Sequence, residues 1–271
     1  MLVFNCTKAA SDFFTVSRRG QKQTPIEDKP TESISDVGTA LEPISQWLVH
    51  VIKVQRKNVI VAMHVDTRYA MVFCGVKKGD WLEFTNLLVE RLFNNLHFFM
   101  GEFEWGDDDS FLEMFNCFLT HHPRPYFCQR GDRSVQSHVN DVAWQFEDRV
   151  YQVGTLPDNE LESASFDEWV NSLLRKTKAS KDYFYPDEEM FLQWASHYGQ
   201  LHDNELELVR PLFSSLRCQM IDNIQDEAKI AEIQAQMEMV AASMTNEASQ
   251  EKATIPDNVV DLFAFKSDVK H

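Results

Sequence analysis

Three apolar segments joined by very short connections constrain the fold of this chain more than any other feature. Trp47 to Gln55, Val59 to Val65 and Tyr69 to Val76 are rich in Val, Ile, Met and aromatic residues, which favour β-strands. The connections between them, Arg56-Lys57-Asn58 and Asp66-Thr67-Arg68, are too short to hold a crossover helix. Consecutive strands joined in this way run in opposite directions, so the pattern predicts an antiparallel β-meander.

The segments around the meander carry strand and helix patterns. Leu2 to Cys6 is apolar and predicts a first strand, and several later runs place apolar residues at helical spacing behind a capping residue. The predicted helices cover residues 8–15, 81–99, 110–120 and 134–153. We therefore predict an α+β fold, in which a small, mainly antiparallel sheet is covered by helices and followed by a C-terminal α-helical extension.

The composition changes along the chain and predicts three parts. Residues 1–158 form the α+β domain, in which a mobile loop is expected at 18–42, where polar residues, prolines and glycines accumulate. Residues 159–244 form an acidic helical extension, and residues 245–271 form a loose tail. The helices expected in the extension are 166–174, 186–198 and 206–244.

The charge of the chain limits its partners. The 26 Lys and Arg residues and the 42 Asp and Glu residues give a net charge of −16 at pH 7, and a field of this sign repels a nucleic-acid backbone. We therefore expect no direct nucleic-acid binding. We also expect no membrane association, because no apolar run approaches the roughly 18 to 20 residues that span a bilayer. The chain opens without a secretory pattern, and its five cysteines include no Cys-x-x-Cys pair, so a cytoplasmic protein is expected.

Short polar side chains concentrate at residues 131–141, where the last helix of the predicted α+β domain begins. Asp132 or Ser134 can cap this helix. In a structural interpretation, the polar side chains form a network that pins the helix to the meander. In a functional interpretation, they form a small site for an anionic or amide-bearing ligand, with an arginine as the forked donor. The candidate ligand-binding residues are Arg133, Ser134, Asn140 and Asp141.

Other candidate groups match known site patterns poorly. His121-His122 and Asp107-Asp108-Asp109 lack the further, spaced ligands that zinc and calcium sites require. Cys74 or Cys128 could act as a nucleophile only if the fold brings a histidine base to it. The candidate bases are His121, His122 and His138. No G-x-S-x-G, Walker or G-x-G-x-x-G motif occurs, so we predict no catalytic residue, metal or cofactor.

Three short motifs lie at the start, in the middle and near the end of the first 155 residues. They are Met1-Leu2-Val3-Phe4-Asn5-Cys6-Thr7-Lys8, Asp66-Thr67-Arg68-Tyr69, and Asp132-Arg133-Ser134-Val135 with Asn140-Asp141. Together they resemble an uncharacterised bacterial family that is known as a domain of unknown function. Its members typically close with Asn-Arg-Ser-Val-x-x-x-x-Asn-Asp, whereas this chain has Asp132 at the first position. The resemblance covers about residues 1–155 and implies a bacterial, cytoplasmic α+β domain without an assigned activity.

Three functions are consistent with these patterns. The first is a non-enzymatic cytoplasmic binding or accessory protein, which acts through protein–protein contacts of its acidic C-terminal helices. The second is a small, hydrolase-like enzyme that uses Arg133, Asn140 and Asp141 with a nearby histidine or cysteine. The third is an acidic protein that mimics a nucleic acid and occupies a nucleic-acid-binding partner.

Overall fold

The computed structural model describes residues 1–27, 44–177, 180, 182–199 and 206–219. The chain divides into two compact units, Met1–Ser215 and Leu216–His271. All helices and strands named below lie in the first unit. Of the second unit, residues 216–219 are described, so the tail predicted at 245–271 lies outside the described residues.

Eight strands are present in the described part of the first unit. In chain order they are β1 (Leu2–Cys6), β2 (Val16–Arg18), β3 (Gln21–Gln23), β4 (Ile26–Glu27), β5 (Ser45–Val54), β6 (Lys57–His64), β7 (Ala70–Cys74) and β8 (Pro125–Gln129). Six of them form one sheet in the order β4-β8-β1-β5-β6-β7, and β2 and β3 form a separate antiparallel pair.

Six helices are numbered in the same way. They are α1 (Lys8–Phe14), α2 (Trp81–Glu102), α3 (Asp108–His121), α4 (Arg133–Val153), α5 (Glu160–Asn171) and α6 (Pro186–Tyr198). α5 begins at residue 160 rather than at the predicted residue 166, because the Asn159 side chain accepts the Glu162 N–H at 2.8 Å and caps the helix earlier. Of the helix predicted at 206–244, residues 210–219 are helical and residues 220–244 lie outside the described residues.

The α+β class and the antiparallel meander are confirmed. Trp47 of β5 pairs with His64 of β6, and Met63 of β6 pairs with Ala70 of β7. Gln55 and Arg56 join β5 to β6 with φ angles of 47° and 67°. Positive φ at both positions is what a two-residue hairpin turn requires, because its twist then matches that of the strands.

The other half of the sheet is parallel, which the sequence does not predict. β1 lies between β5 and β8 and runs parallel to both, and β4 runs parallel to β8. Parallel neighbours need long connections. The connection from β1 to β5 contains α1, and the connection from β7 to β8 contains α2 and α3. The predicted loop at 18–42 also contains β3 and β4, while residues 28–43 lie outside the described residues.

Helices cover both faces of the sheet. On one face, Phe4 of β1 contacts Phe84 of α2 and Phe127 of β8, with ring centroids 5.3 and 4.7 Å apart. On the other face, α4 and α5 pack on alternate residues of the meander. The buried residues there include Leu48, Val61, Met63, Ala70, Val72, Val135, Val139, Val142 and Phe146. Covering on both faces explains why the strands are almost continuously apolar.

Side chains close the outer edge of the sheet at β7. Asn171 of α5 accepts the Ala70 N–H and donates to the Ala70 carbonyl, both at 2.7 Å. Asp167 accepts the Val72 N–H at 3.0 Å, and Arg91 of α2 donates to the Val72 carbonyl at 2.6 Å. These bonds use backbone groups that a further strand would otherwise pair with. The compact unit thus continues past residue 158, where the sequence predicts the first domain to end.

Candidate functional site

The candidate site lies where α4 begins, directly after strand β8. Of the two predicted caps, Asp132 is the residue that fills this role, because its Oδ1 accepts the N–H groups of Ser134 and Val135 at 2.8 and 3.0 Å. α4 has 21 residues, so its amino end carries the partial positive charge of a long helix.

The four predicted ligand-binding residues are exposed on α4. Arg133 and Ser134 lie in its first turn and line one cleft, whereas Asn140 and Asp141 lie outside the lining of that cleft. The Ser134 Oγ accepts a hydrogen bond from Nη2 of Arg68 at 3.3 Å, which ties α4 to the turn between β6 and β7. Asn140 accepts a 2.9 Å hydrogen bond from a glutamine on its own helix. The structure therefore brings the first two residues together and separates them from the other two.

Arg68 is a buried cation that contacts this helix end through Ser134. It lies in the turn between β6 and β7, with a φ of 60°, and only 7% of its surface is exposed. Within the described part of the chain, its Nε and Nη1 have no hydrogen-bond acceptor although both are buried. Burial lowers the pKa of Arg68, and the more distant charges of Asp132 and Asp66 act in the opposite direction.

A second buried arginine, Arg175, lies in the segment after α5. Its backbone is held by a pair of hydrogen bonds with Phe184, at 2.8 and 2.9 Å. Only 6% of the surface of Arg175 is exposed. Nη2 donates to the Val170 carbonyl at a long 3.4 Å, and the buried Nε has no acceptor among the described residues.

In the described part of the chain, Arg68 and Arg175 lack the close ion-pair partner that a buried charge usually has. Among the described residues, no carboxylate forms an ion pair with Arg68 or Arg175. By contrast, the partly buried Arg91 pairs with the buried Asp167 at 3.1 Å. An isolated charge in a protein interior costs several kcal/mol relative to water unless a counter-charge and hydrogen bonds compensate for it. The carboxylates that act on these arginines are Asp132 and Asp66 for Arg68 and Asp141 for Arg175, and none of them is close enough to form an ion pair.

His138 lies one turn along α4, and its titration reflects these cations. Burial lowers its pKa below the usual value, and the guanidinium groups of Arg175 and Arg68 lower it further, while Asp141 raises it. The imidazole is therefore neutral at pH 7 and can accept a proton or a hydrogen bond.

The exposed cleft beside these residues has a volume of about 700 Å³. Its lining combines two cationic side chains, three hydroxyl groups and one imidazole, with a single carboxylate, Asp132, whose Oδ1 is already used by the helix cap. The residues in question are Arg133, Lys176, Ser134, Ser137, Thr177 and His138. Cations, hydroxyl groups and a helix amino end are the groups that bind phosphate and carboxylate in proteins.

A second cleft of about 170 Å³ adjoins the first and shares Gly131 and Asp132 with it. Asn5 and Gln46 supply amide groups to its lining, Leu48 and Val65 supply apolar surface, and Arg130 supplies a guanidinium group. The Asn5 Nδ2 donates to the Gln46 Oε1 at 3.4 Å, so the two amides face each other across neighbouring strands.

The histidine and aspartate runs are used within the fold. His121 Nδ1 lies 2.8 Å from the Cys117 carbonyl, and His122 Nε2 lies 2.7 Å from the Tyr198 hydroxyl, so the two rings have different partners. Burial lowers the pKa of His122 to about 3. Asp107 caps α3 through the Ser110 N–H at 2.9 Å. Within the described ranges, no group of three or more His, Cys, Asp or Glu side chains is arranged to hold a metal ion.

The proposed cysteine nucleophiles lie in apolar surroundings. Burial raises the pKa of Cys74 to about 11, so its thiol is protonated at neutral pH. Cys128 is buried and donates to the Asn5 Oδ1 at 3.5 Å. The sequence patterns missed one cysteine–histidine contact, in which the Cys117 Sγ lies 3.6 Å from Nδ1 of His121 on the same helix. That nitrogen also faces the Cys117 carbonyl at 2.8 Å. It therefore carries a proton and cannot act as the base for the thiol.

The sequence patterns also do not predict that Arg68 and Arg175 are buried beside the candidate site. Arg68 was visible as a turn residue between two buried strands and Arg175 as the first residue of a basic cluster. Polar residues in turns are ordinarily exposed, so the turn pattern predicts an exposed Arg68. The one signal for burial is the short distance along the chain to β7, which begins at Ala70 and is buried at its first four positions.

Comparisons with known proteins place this chain in a family and give it no function. Within the described residues, no helix is at once long enough and apolar enough to cross a membrane. No curated protein and no solved structure matches the chain. One family model, described as "Domain of unknown function (DUF6933)", matches residues 3–189, which extends beyond the 155 residues of the sequence resemblance. The chain therefore belongs to this domain-of-unknown-function family.

Proposed function

We propose that this protein is a non-enzymatic binding module that holds the anionic group of a small ligand in the cleft at the amino end of α4. One observation carries the proposal: Arg68 and Arg175 are buried, and among the described residues neither forms a close ion pair, although Asp132 and Asp66 act on Arg68 and Asp141 on Arg175 from farther away. A phosphate or carboxylate group in the adjoining cleft would add a nearer counter-charge and would accept hydrogen bonds from the first turn of the helix.

Arg133 lines the cleft, whereas Arg68 lies behind the lining and contacts it through Ser134. We nevertheless assign the larger share of anion binding to Arg68. Arg133 is exposed, and an exposed cation gains little from an anion in water. Arg68 is fixed by its turn and by Ser134, so it loses little conformational freedom when an anion approaches.

Titration with inorganic phosphate at constant ionic strength tests this function. We expect phosphate to bind the wild-type chain and Arg68→Met to weaken the binding at least tenfold. The melting temperature of Arg68→Met should be equal to or higher than that of the wild type, because the substitution removes a buried charge that has no close ion pair among the described residues. Arg149→Met is the matched control, since it removes the same charge from an exposed position on α4. Equal phosphate affinity in Arg68→Met and Arg149→Met would contradict the proposal.

A hydrolase-like enzyme is the second candidate, and His138 is the observation that favours it. Its neutral imidazole lines the cleft near Asp141, which suits a general base acting on a bound phosphate ester. This alternative predicts slow hydrolysis of a simple aryl phosphate that His138→Gln abolishes while phosphate binding persists. If the wild type shows no turnover above the buffer rate, the binding module stands.

We further propose a bacterial, cytoplasmic protein whose acidic C-terminal helices contact a protein partner. The five cysteines are all free thiols, as is usual in a reducing compartment. The 10 basic and 20 acidic residues at 161–271 supply −10 of the net charge. This charge suits a basic protein partner, and it is equally consistent with an acidic protein that mimics a nucleic acid. Partner capture at low and high salt tests both ideas, because capture that does not change with ionic strength counts against a charge-driven contact.

A further inference from the structure

The 700 Å³ cleft that contains Arg133 and Lys176 is called the cationic cleft, and the 170 Å³ cleft that contains Asn5 and Gln46 is called the small cleft. The small cleft gives the ligand a second point of attachment. We propose that the ligand is a pyrimidine mononucleotide, whose phosphate occupies the cationic cleft at the amino end of α4 and whose base occupies the 170 Å³ cleft. That second cleft is lined by Asn5, Gln46, Leu48, Val65 and Arg130, together with Gly131 and Asp132. The inference rests on the proposed function for the phosphate. It adds a recognition site for the neutral part of the same ligand.

The two clefts are placed for one ligand to occupy both. They share Gly131 and Asp132, the residues between strand β8 and helix α4. An anion at the helix end therefore has the small cleft as its immediate neighbour. Gly131 brings no side chain between the two clefts, and a β-carbon added there would meet nothing within 4 Å.

The polar groups of the small cleft can bind the edge of a nucleobase. Asn5 is only 4% exposed, and it holds the Gln46 amide through its Nδ2. That bond uses the Gln46 oxygen and leaves the Nε2 hydrogens without an acceptor among the described residues, so they can donate to a carbonyl group. Asp132 uses Oδ1 for both cap bonds, so its second oxygen is left to accept an N–H. An adjacent carbonyl and N–H are what a uracil-type ring presents along one edge.

The size and the walls of the cleft favour a single ring. Drug-sized ligands occupy pockets of about 300 Å³ or more, and this cleft is smaller, at 170 Å³. Leu48 and Val65 provide apolar contacts for the flat face of a ring, as apolar side chains do in other base-binding pockets. A larger, two-ring base fits this volume less well.

Calorimetric titration of the full chain with three probes tests the inference: inorganic phosphate, uridine 5′-monophosphate and uridine. In the wild type, we expect the mononucleotide to bind at least tenfold more tightly than phosphate. Gln46→Met preserves side-chain length and removes the N–H donors, so the mononucleotide and phosphate should then bind equally, with phosphate affinity unchanged. Asp132→Asn keeps a capping oxygen and replaces the second acceptor with a donor. It should therefore also remove the difference between the affinity for the mononucleotide and the affinity for phosphate.

The outcomes separate this inference from the proposed function. If phosphate binds but the mononucleotide binds no more tightly, the small cleft holds only water and the inference fails while the proposed function stands. If the mononucleotide advantage survives in both Gln46→Met and Asp132→Asn, the base lies elsewhere and the inference fails. If uridine binds and phosphate does not, the proposed function fails together with the mononucleotide assignment.

Discussion

At the edge of strand β7, single side chains form the backbone hydrogen bonds that a neighbouring strand would usually form. Asn171 satisfies both backbone groups of Ala70 with two bonds of 2.7 Å, and Asp167 satisfies the N–H of Val72. Both are fully buried, and burial raises the pKa of Asp167 to about 7 although Arg91 opposes the shift. The sequence showed these two residues only as polar positions in an acidic helix, because no local pattern indicates a bond to a strand far away in the chain.

The first prediction at this scale concerns Asn171. Asn171→Leu keeps the volume of the side chain and leaves the N–H and carbonyl groups of Ala70 buried without partners. Each such group costs about 1 to 3 kcal/mol, so we expect the free energy of unfolding to fall by about 2 to 5 kcal/mol in urea titrations. Asn140→Leu, the same change at an exposed helical site, should cost under about 0.5 kcal/mol. Similar losses in the two variants would mean that the edge bonds contribute little.

The second prediction at this scale concerns His122 and pH. The usual pKa of histidine is about 6.5, and burial, with the N-terminal amino group as a smaller cause, lowers that of folded His122 to about 3. Between these values the unfolded chain binds a proton that the folded chain does not, so stability decreases as pH falls through this window. From pH 7.5 to pH 4.5 this loss of stability is about 3 kcal/mol.

His122→Gln removes the titrating group and can still hydrogen-bond the Tyr198 hydroxyl. Urea unfolding at pH 7.5 and at pH 4.5 should therefore show a smaller loss of stability in the variant than in the wild type, by about 3 kcal/mol. His97→Gln, which replaces a half-exposed histidine, serves as the control for a general effect of losing a histidine. An unchanged pH dependence in His122→Gln would contradict the assignment.

At the scale of elements, the sequence predicts most helices and the meander but only part of the sheet. α6 begins at Pro186 and ends at Tyr198, as predicted, because proline and three acidic residues mark its first turn. Asp132 caps α4 for the same kind of local reason. The parallel placement of β1 and β8 could not be predicted, since it depends on the path of the connecting helices and not on the residues of the strands. The short, polar β3 lacks the apolar alternation by which strands are recognised.

The prediction for elements is that α5 is required for a soluble sheet. A chain that ends at Asp158 keeps the predicted α+β domain but lacks α5, so the outer edge of β7 is left with unpaired backbone groups. Open edges of this kind pair with other chains, and we expect this shortened chain to elute as aggregates in size-exclusion chromatography. A chain that ends at Ser215 retains α5 and is the matched control. A monomeric, folded protein ending at Asp158 would show that α5 is dispensable.

At the scale of the whole molecule, the net charge of the chain is negative whereas most charged side chains that line the cleft are positive. The sequence gives a net charge of −16, from which repulsion of polyanions follows, whereas the candidate site is locally cationic. Composition predicts the average field and cannot predict a local reversal, because Arg68 and Arg175 are distant in sequence and are brought near α4 only by folding.

The whole-molecule prediction links phosphate to stability. A ligand that binds only the folded state raises the free energy of unfolding by RT ln(1 + [L]/Kd), which is about 2.7 kcal/mol at 100 times Kd. The melting temperature should therefore rise steadily with phosphate at constant ionic strength, using the Kd from calorimetry, and Arg68→Met should not respond. Chloride at the same ionic strength controls for screening, and an equal rise with chloride would contradict a specific site.

The buried guanidinium groups have a consequence for how tightly the cleft can bind. Folding has already buried Nε and Nη1 of Arg68 and Nε of Arg175. Neither arginine lines the cleft, so an anion in the cleft would be attracted by charges that are already dehydrated. Such preorganisation increases affinity, but the folded protein without ligand carries the dehydration penalty at all times. Selection for thermal stability alone should accumulate apolar residues at positions 68 and 175, and those variants should be the ones that no longer bind.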